Sequence, residues 1–353
     1  MMVLSPYRKI AFAVSGLLLL GACCGSEQGE PLEIRLVLDA VRGTRASEGL
    51  IDEDAISSWY VLIYNSSGVL LKEMMNLHEL SYSLIVDGRT FSDVTVYAFA
   101  NLDTQTLTQG WGSEEALLSN TYGLSLVQNS GLLPMCCKMK TSFSTSSTLN
   151  LKLERMVSKI RLRSVSVDLK GSFSYDTFTR GQVYLQNVVA EMSLEQYFSR
   201  SSSLEASESH YPWFYHANWM YSEFDSSSYQ GDRQEEDPLG LLGGGGTVFY
   251  TLPNFRVAVP DDNPDWADLC TKLVMESKHY MRELGVWLDL YYPVEILNPA
   301  SGCLEANNVY DLDLIVYCPG YLNPWGPRDT SDPKVAVSIV VDLWSTNTIV
   351  EKI

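Results

Sequence analysis

Leu32-Glu33-Ile34-Arg35-Leu36-Val37-Leu38 decides the fold class. Leu32, Ile34, Leu36 and Leu38 fall on one face and Glu33 and Arg35 on the other, which is the period of a half-buried β-strand. The period recurs outward along the chain. Ser58 to Tyr64 runs into the turn signal Asn65-Ser66-Ser67-Gly68, and Val69 to Lys72 returns as a hairpin partner. Phe91 to Ala100 sets Phe91 opposite Val94, Val96 and Ala98. Leu149 to Leu153 alternates, as does Arg155 to Arg163; past Ser164 the apolar set changes parity to Val165, Val167 and Leu169. Side-chain faces swap at a parity change, so a bulge or turn is expected there. Val183 to Val189, Thr247 to Leu252, Asn308 to Tyr317 and Lys334 to Trp344 predict further strands. Thr271 to Tyr280 and Val286 to Tyr292 fit a strand pair around Arg282-Glu283-Leu284-Gly285, although Trp266, Leu269 and Leu273 also have helical spacing. Ser113 is the expected N-cap of one short helix ending at Leu118. Many short strands separated by turn signals predict an all-β protein built of sandwiches, two of them, with a boundary near Glu154.

Composition narrows the function classes. The chain has 353 residues, a hydrophobic share of 46% and a formal charge of −18. That apolar share excludes a fully disordered chain. The acidic balance, with no cluster of Lys and Arg, argues against nucleic acid as a partner. Single cores stop growing near ~250–300 residues, which again favours two domains.

The N-terminus carries an address. Arg8 and Lys9 precede the apolar run Ile10 to Leu20, which is too short for a membrane span of ~20 residues. Leu20-Gly21-Ala22-Cys23 follows and resembles a lipobox, with Cys23 as the lipid acceptor; an ordinary cut after Ala22 is the plainer alternative. Residues 1–22 are then a signal peptide and residues 23–31 a short polar tether. Acyl chains would hold Cys23 to the membrane at roughly 0.8 kcal/mol per buried CH₂.

Catalytic and metal motifs are missing from the sequence. There is no G-x-S-x-G, no Walker A motif, no C-x-x-C and no H-E-x-x-H, so no enzyme activity, cofactor or metal site is expected. Asp311 and Asp313 share a strand face and could ligate a cation, a solvated face being the plainer reading. Cys303 and Cys318 could form a disulfide, against the plainer alternative of buried free thiols. The polar stretch from Ser199 to Thr247 has a Ser-rich start, a charged run and Gly243 to Gly246, and predicts a surface insertion. Its aromatic residues, Tyr211, Trp213, Tyr215 and Trp219 among them, either pin the loop or offer a surface to a glycan or a host protein.

Several of these pieces, in this order, resemble the fimbrillin family, the type V pilus subunits of Bacteroidales. They are the lipobox, a first strand followed by Gly43-Thr44-Arg45-Ala46, and the strand Val94-Thr95-Val96-Tyr97-Ala98-Phe99-Ala100-Asn101-Leu102. Leu153-Glu154-Arg155-Met156-Val157-Ser158-Lys159-Ile160 resembles the start of the family's second domain; Asn307-Asn308-Val309-Tyr310 and a late strand ending in Trp344 complete the set. The resemblance implies two transthyretin-like β-sandwiches in tandem, 32–153 and 154–353, the second with the insertion 199–247. It implies export as a lipoprotein to the outer membrane and cell surface. A trypsin-like protease would then cut after Arg45, with Arg42 as the fallback, releasing the strand of residues 32–41. The vacated groove would accept a strand from another fimbrial subunit. The plainer alternative keeps Leu32 to Val41 as a permanent edge strand. Past Trp344 only Ser345 to Ile353 remains, about 30 Å when extended, which is short for a donor strand and points to a minor or tip-type subunit.

Overall fold

The computed structural model describes residues 31–40, 53, 55–77, 79, 81–87, 91–102, 110–124, 132–167, 169, 177–179, 183–189, 191–201, 220–222, 228–230, 247–255, 270–322 and 335–343. Strands β1 (Pro31–Ala40), β2 (Trp59–Asn65), β3 (Leu70–Leu77), β4 (Ser81–Asp87) and β5 (Val94–Ala100) lead to the short helix α1 (Glu114–Leu118). Strands β6 (Thr121–Gly123), β7 (Met135–Thr141) and β8 (Ser147–Arg155) follow. The chain continues through β9 (Ser158–Val167), β10 (Thr177–Thr179), β11 (Val183–Gln186), β12 (Glu191–Ser193) and helix α2 (Leu194–Ser199). It ends with β13 (Met220–Ser222), β14 (Ser228–Gln230), β15 (Thr247–Thr251), β16 (Lys272–Met281), β17 (Val286–Glu295), β18 (Asn308–Val316) and β19 (Val335–Leu343). Among the described residues the elements are strands, apart from short helical segments such as α1 and α2.

The local chemistry explains where elements start and stop. In the turn after β2, Asn65 Oδ1 accepts the amides of Ser67 and Val69 at 3.0 and 2.9 Å, while Gly68 takes φ +74°, a left-handed conformation that glycine adopts freely. The hydroxyl of Ser113 accepts the Ala116 amide at 3.1 Å and caps α1. Ser193 and Gln196 form a reciprocal capping box at the start of α2. The strand at Val183 is shorter than its apolar run, because Asn187 turns the chain at φ +57°. The parity change in β9 is a bulge: β18 pairs Leu312 with Leu162 but Asp313 with Ser164, so Arg163 is skipped. The ambiguous stretch near Leu273 is strand, with β16 and β17 paired antiparallel over their whole lengths.

Seven strands form one sheet in the order β3-β2-β5-β7-β8-β1-β4, while β6 pairs with β12. The β7–β8 link has only two residue pairs, Met135–Arg155 and Cys136–Glu154, so the path folds over at this corner. Inward residues of both parts then meet in one core: Leu32, Ile34 and Leu36 of β1, Leu84 and Val86 of β4 and Leu151 and Leu153 of β8 face Trp59, Val61 and Ile63 of β2 and Val94, Val96 and Ala98 of β5. The other face of β2 and β5 is also buried. Tyr60, Leu62, Tyr64, Tyr97 and Phe99 join a second core with Leu117, Tyr197, Ile160, Leu273, Tyr292 and Tyr310. Later strands build a sheet β15-β9-β18-β19 and a second one in which β16 lies between β17 and the strands β11 and β10.

Candidate functional site

The first strand sits inside its sheet. It pairs antiparallel with β4 from Pro31–Asp87 to Val37–Ser81, and parallel with β8 from Ile34–Ser147 to Ala40–Leu153. Leu32, Ile34 and Leu36 are buried, the last two with no exposed area, while Glu33 and Arg35 are exposed. Burying each such side chain stabilises by roughly 1.5–3 kcal/mol. Leu38 lies opposite Leu151 on the β8 ladder. Among the described residues, β4 has no ladder partner other than β1. The backbone N–H and C=O groups of β8 and β4 that face β1 therefore depend on it for their hydrogen bonds.

A buried clamp follows this strand in the sequence. The Glu53 carboxylate lies 2.6 Å from the Lys159 ammonium and accepts the Tyr250 hydroxyl at 2.5 Å. Its main-chain oxygen accepts Arg155 Nε at 3.2 Å. Glu53 and Lys159 are each 7% exposed and Arg155 is 1% exposed. Burial, and then the hydrogen bond to Glu53, push the Tyr250 hydroxyl well above the usual phenol range. Asn101 fastens the next residues: its side-chain nitrogen donates to the carbonyls of Ala55 at 2.7 Å and Leu133 at 2.9 Å, and its oxygen accepts the Ser57 amide at 3.0 Å. Two sequence motifs also meet here, since Arg155 N donates to Asn307 Oδ1 at 3.3 Å and Asn307 N donates to the Val157 carbonyl at 2.9 Å.

Sequence reasoning found the strand and missed the clamp. The available signal was two basic residues, Arg155 and Lys159, flanking an otherwise buried turn; charges that deep need a partner. Cys23, Arg42, Arg45, Tyr211, Trp213, Tyr215 and Trp219 lie outside the described residues. The solvated-face reading of Asp311 is corrected. Its carboxylate is 3% exposed and takes a two-pronged bond from Arg161, Nε at 2.7 Å and Nη2 at 2.6 Å, across the β9–β18 ladder. Asp313 is held by Arg163 and, at 2.5 Å, by the Ser164 hydroxyl. No disulfide joins Cys303 to Cys318. Among the described residues no cluster of three His, Cys, Asp or Glu residues is arranged to hold a metal, and no helix is long and apolar enough to cross a membrane.

No protein-family model matches the chain, and no curated protein matches it. Solved structures do. A candidate cell adhesion protein from Bacteroides eggerthii DSM 20697 aligns at 17% identity and a TM-score of 0.58, covering 90% of this chain and 97% of that one. One from Parabacteroides distasonis ATCC 8503 aligns at 14% identity and 0.58, covering 90% and 98%. A fimbrilin from Porphyromonas gingivalis W83 aligns at 15% identity and 0.57, covering 89% and 97%. With nearly the full length of each chain superposed, this protein has the all-β sandwich fold of those adhesion and fimbrilin structures.

Proposed function

We propose that this chain is a non-enzymatic subunit of surface fimbriae, a member of the fimbrillin family that assembles by exchanging its first strand. The observation that carries the reading is the place of β1, an interior strand with ladders on both sides and three leucine or isoleucine side chains in the core. A strand so placed cannot leave without opening an apolar groove edged by unpaired backbone groups, and such a groove is a template for another chain. The segment after it carries Arg42 and Arg45, and the next described residue, Glu53, is fastened by a buried ion pair. Cutting after Arg45 frees the leader while the chain from Glu53 onward keeps its bonds. Before the cut, Cys23 holds the precursor to the outer membrane through lipid. The insertion 199–247 favours an accessory or tip-type place over the shaft, and two tandem domains meeting near Glu154 form the frame.

N-terminal sequencing of the protein taken from cell surfaces tests this reading; the expected first residue is Ala46. The double variant Arg42→Ala, Arg45→Ala is expected to remain lipid-anchored, to retain Leu32 to Val41, and to be absent from fimbriae. Its incorporation at wild-type level overturns strand exchange.

A further inference from the structure

A cleft of about 450 Å³ opens where β7 and β8 diverge, on the outer face of that corner. Helix α2 walls it with Tyr197, Phe198 and Arg200, and Phe255 and the turn Glu305–Asn308 close the far side. Its strand floor carries Cys137, Lys138, Lys152 and Glu154. Against a chain charge of −18, three cations and only two carboxylates line it.

The cations are arranged unlike ordinary solvated lysines. Lys138 Nζ stands 5.2 Å from the Tyr97 ring centre and 5.5 Å from that of Phe198, so two rings hold the ammonium in place. Neither Lys138 nor Lys152 has a carboxylate partner among the described residues. Arg200, turned into the left-handed region at φ +50°, reaches the cleft with Nη1 at 3.6 Å from Glu305. Two unanswered ammonium groups in a strongly acidic protein attract a carboxylate.

The rest of the lining narrows the ligand. Phe198 and Phe255 offer an apolar wall, while Glu154 and Glu305 offer acceptors for hydroxyl donors. The volume suits one or two rings and not an extended chain, since pockets for small ligands run about 300–1,000 Å³. We infer that this cleft binds a carboxylated sugar, with Lys138 and Lys152 on the carboxylate and Glu154 and Glu305 on the ring hydroxyls. None of the residues that line the cleft belongs to β1, although Lys152 lies opposite Asp39 on the β1–β8 ladder.

Titration calorimetry of the full-length protein tests it with five probes: N-acetylneuraminic acid, glucuronic acid, glucose, acetate and a poly-glutamate peptide. At least one acidic sugar is expected to bind, and glucose, which lacks the carboxylate, and acetate, which lacks the ring hydroxyls, to bind at least about tenfold more weakly. Lys138→Met with Lys152→Met, both exposed positions, is expected to fold normally and to lose that binding by about tenfold or more. Trp213→Ala with Trp219→Ala is expected to leave it unchanged. Equal binding of glucose or acetate, no binding by either acidic sugar, or full affinity in the lysine variant overturns the assignment. Tighter binding of a poly-glutamate peptide than of either acidic sugar also overturns it, in favour of an acidic polypeptide.

Discussion

Asp313 shows how a single side chain is set by its neighbours. Burial alone would raise its carboxyl, but the Ser164 hydroxyl and the Arg163 guanidinium outweigh that and hold it below the usual range. The unfolded value is about 3.9, so the stabilisation from the ionised group is complete above that pH and is lost as pH falls through the lower folded value. Wild type is therefore expected to exceed Asp313→Asn in stability at pH 7, and the gap to close as pH drops below about 4. Urea midpoints at pH 7, 5 and 3 check this; a gap unchanged at pH 3 and below contradicts the ion pair. The pairing was hidden at this scale. Arg163 and Asp313 are 150 residues apart, and an alternating pattern states which face a side chain takes but not which strand lies beside it. Glu53 was hidden for the same reason, sitting in an acidic run while its partners Lys159 and Tyr250 are 106 and 197 residues away.

At the scale of elements, the period-two pattern was a good guide where a strand buries one face and exposes the other, as β1 and β8 do. The parity change past Ser164 announced the bulge at Arg163, since an extra residue is the way a strand changes faces without leaving its sheet. β5 was legible only by half. Val94, Val96 and Ala98 mark the inner face, but Tyr97 and Phe99 also sink into a core, which appears only when α2 and the later strands are in place. The register of β1 can be tested directly. Leu36→Ala in the uncut chain is expected to cost about 3 kcal/mol, the cavity cost of a buried leucine. Arg35→Ala, one residue away on the exposed face, is expected to change stability by less than about 0.5 kcal/mol. Urea unfolding measures both, and a reversal of the two results would mean that the strand is shifted by one residue.

At the scale of the molecule, the second core joins residues from β2 and β5 to residues from β9, β16 and β18, and the Glu53 clamp bridges the same regions. Neither was legible from the alternation, because a pattern defines a strand's two faces and not what the outer one leans on. Glu53→Gln is expected to cost roughly 3 kcal/mol by taking the negative charge away from the buried Lys159 ammonium. Glu53→Gln with Lys159→Met is expected to recover part of that loss, read again from urea midpoints. A single variant as stable as wild type would show that the clamp carries no weight. The two ladders of β1 carry a further consequence. One neighbour runs alongside it and the other runs against it, so the gap it leaves has a sense of direction. A guest threaded backwards would meet both rims with the wrong hydrogen-bond spacing, since the evenly slanted pattern and the alternating pattern would have changed sides. On the proposed reading, the sandwich therefore acts as a one-way socket, and a fibre built from such sockets has a head and a tail.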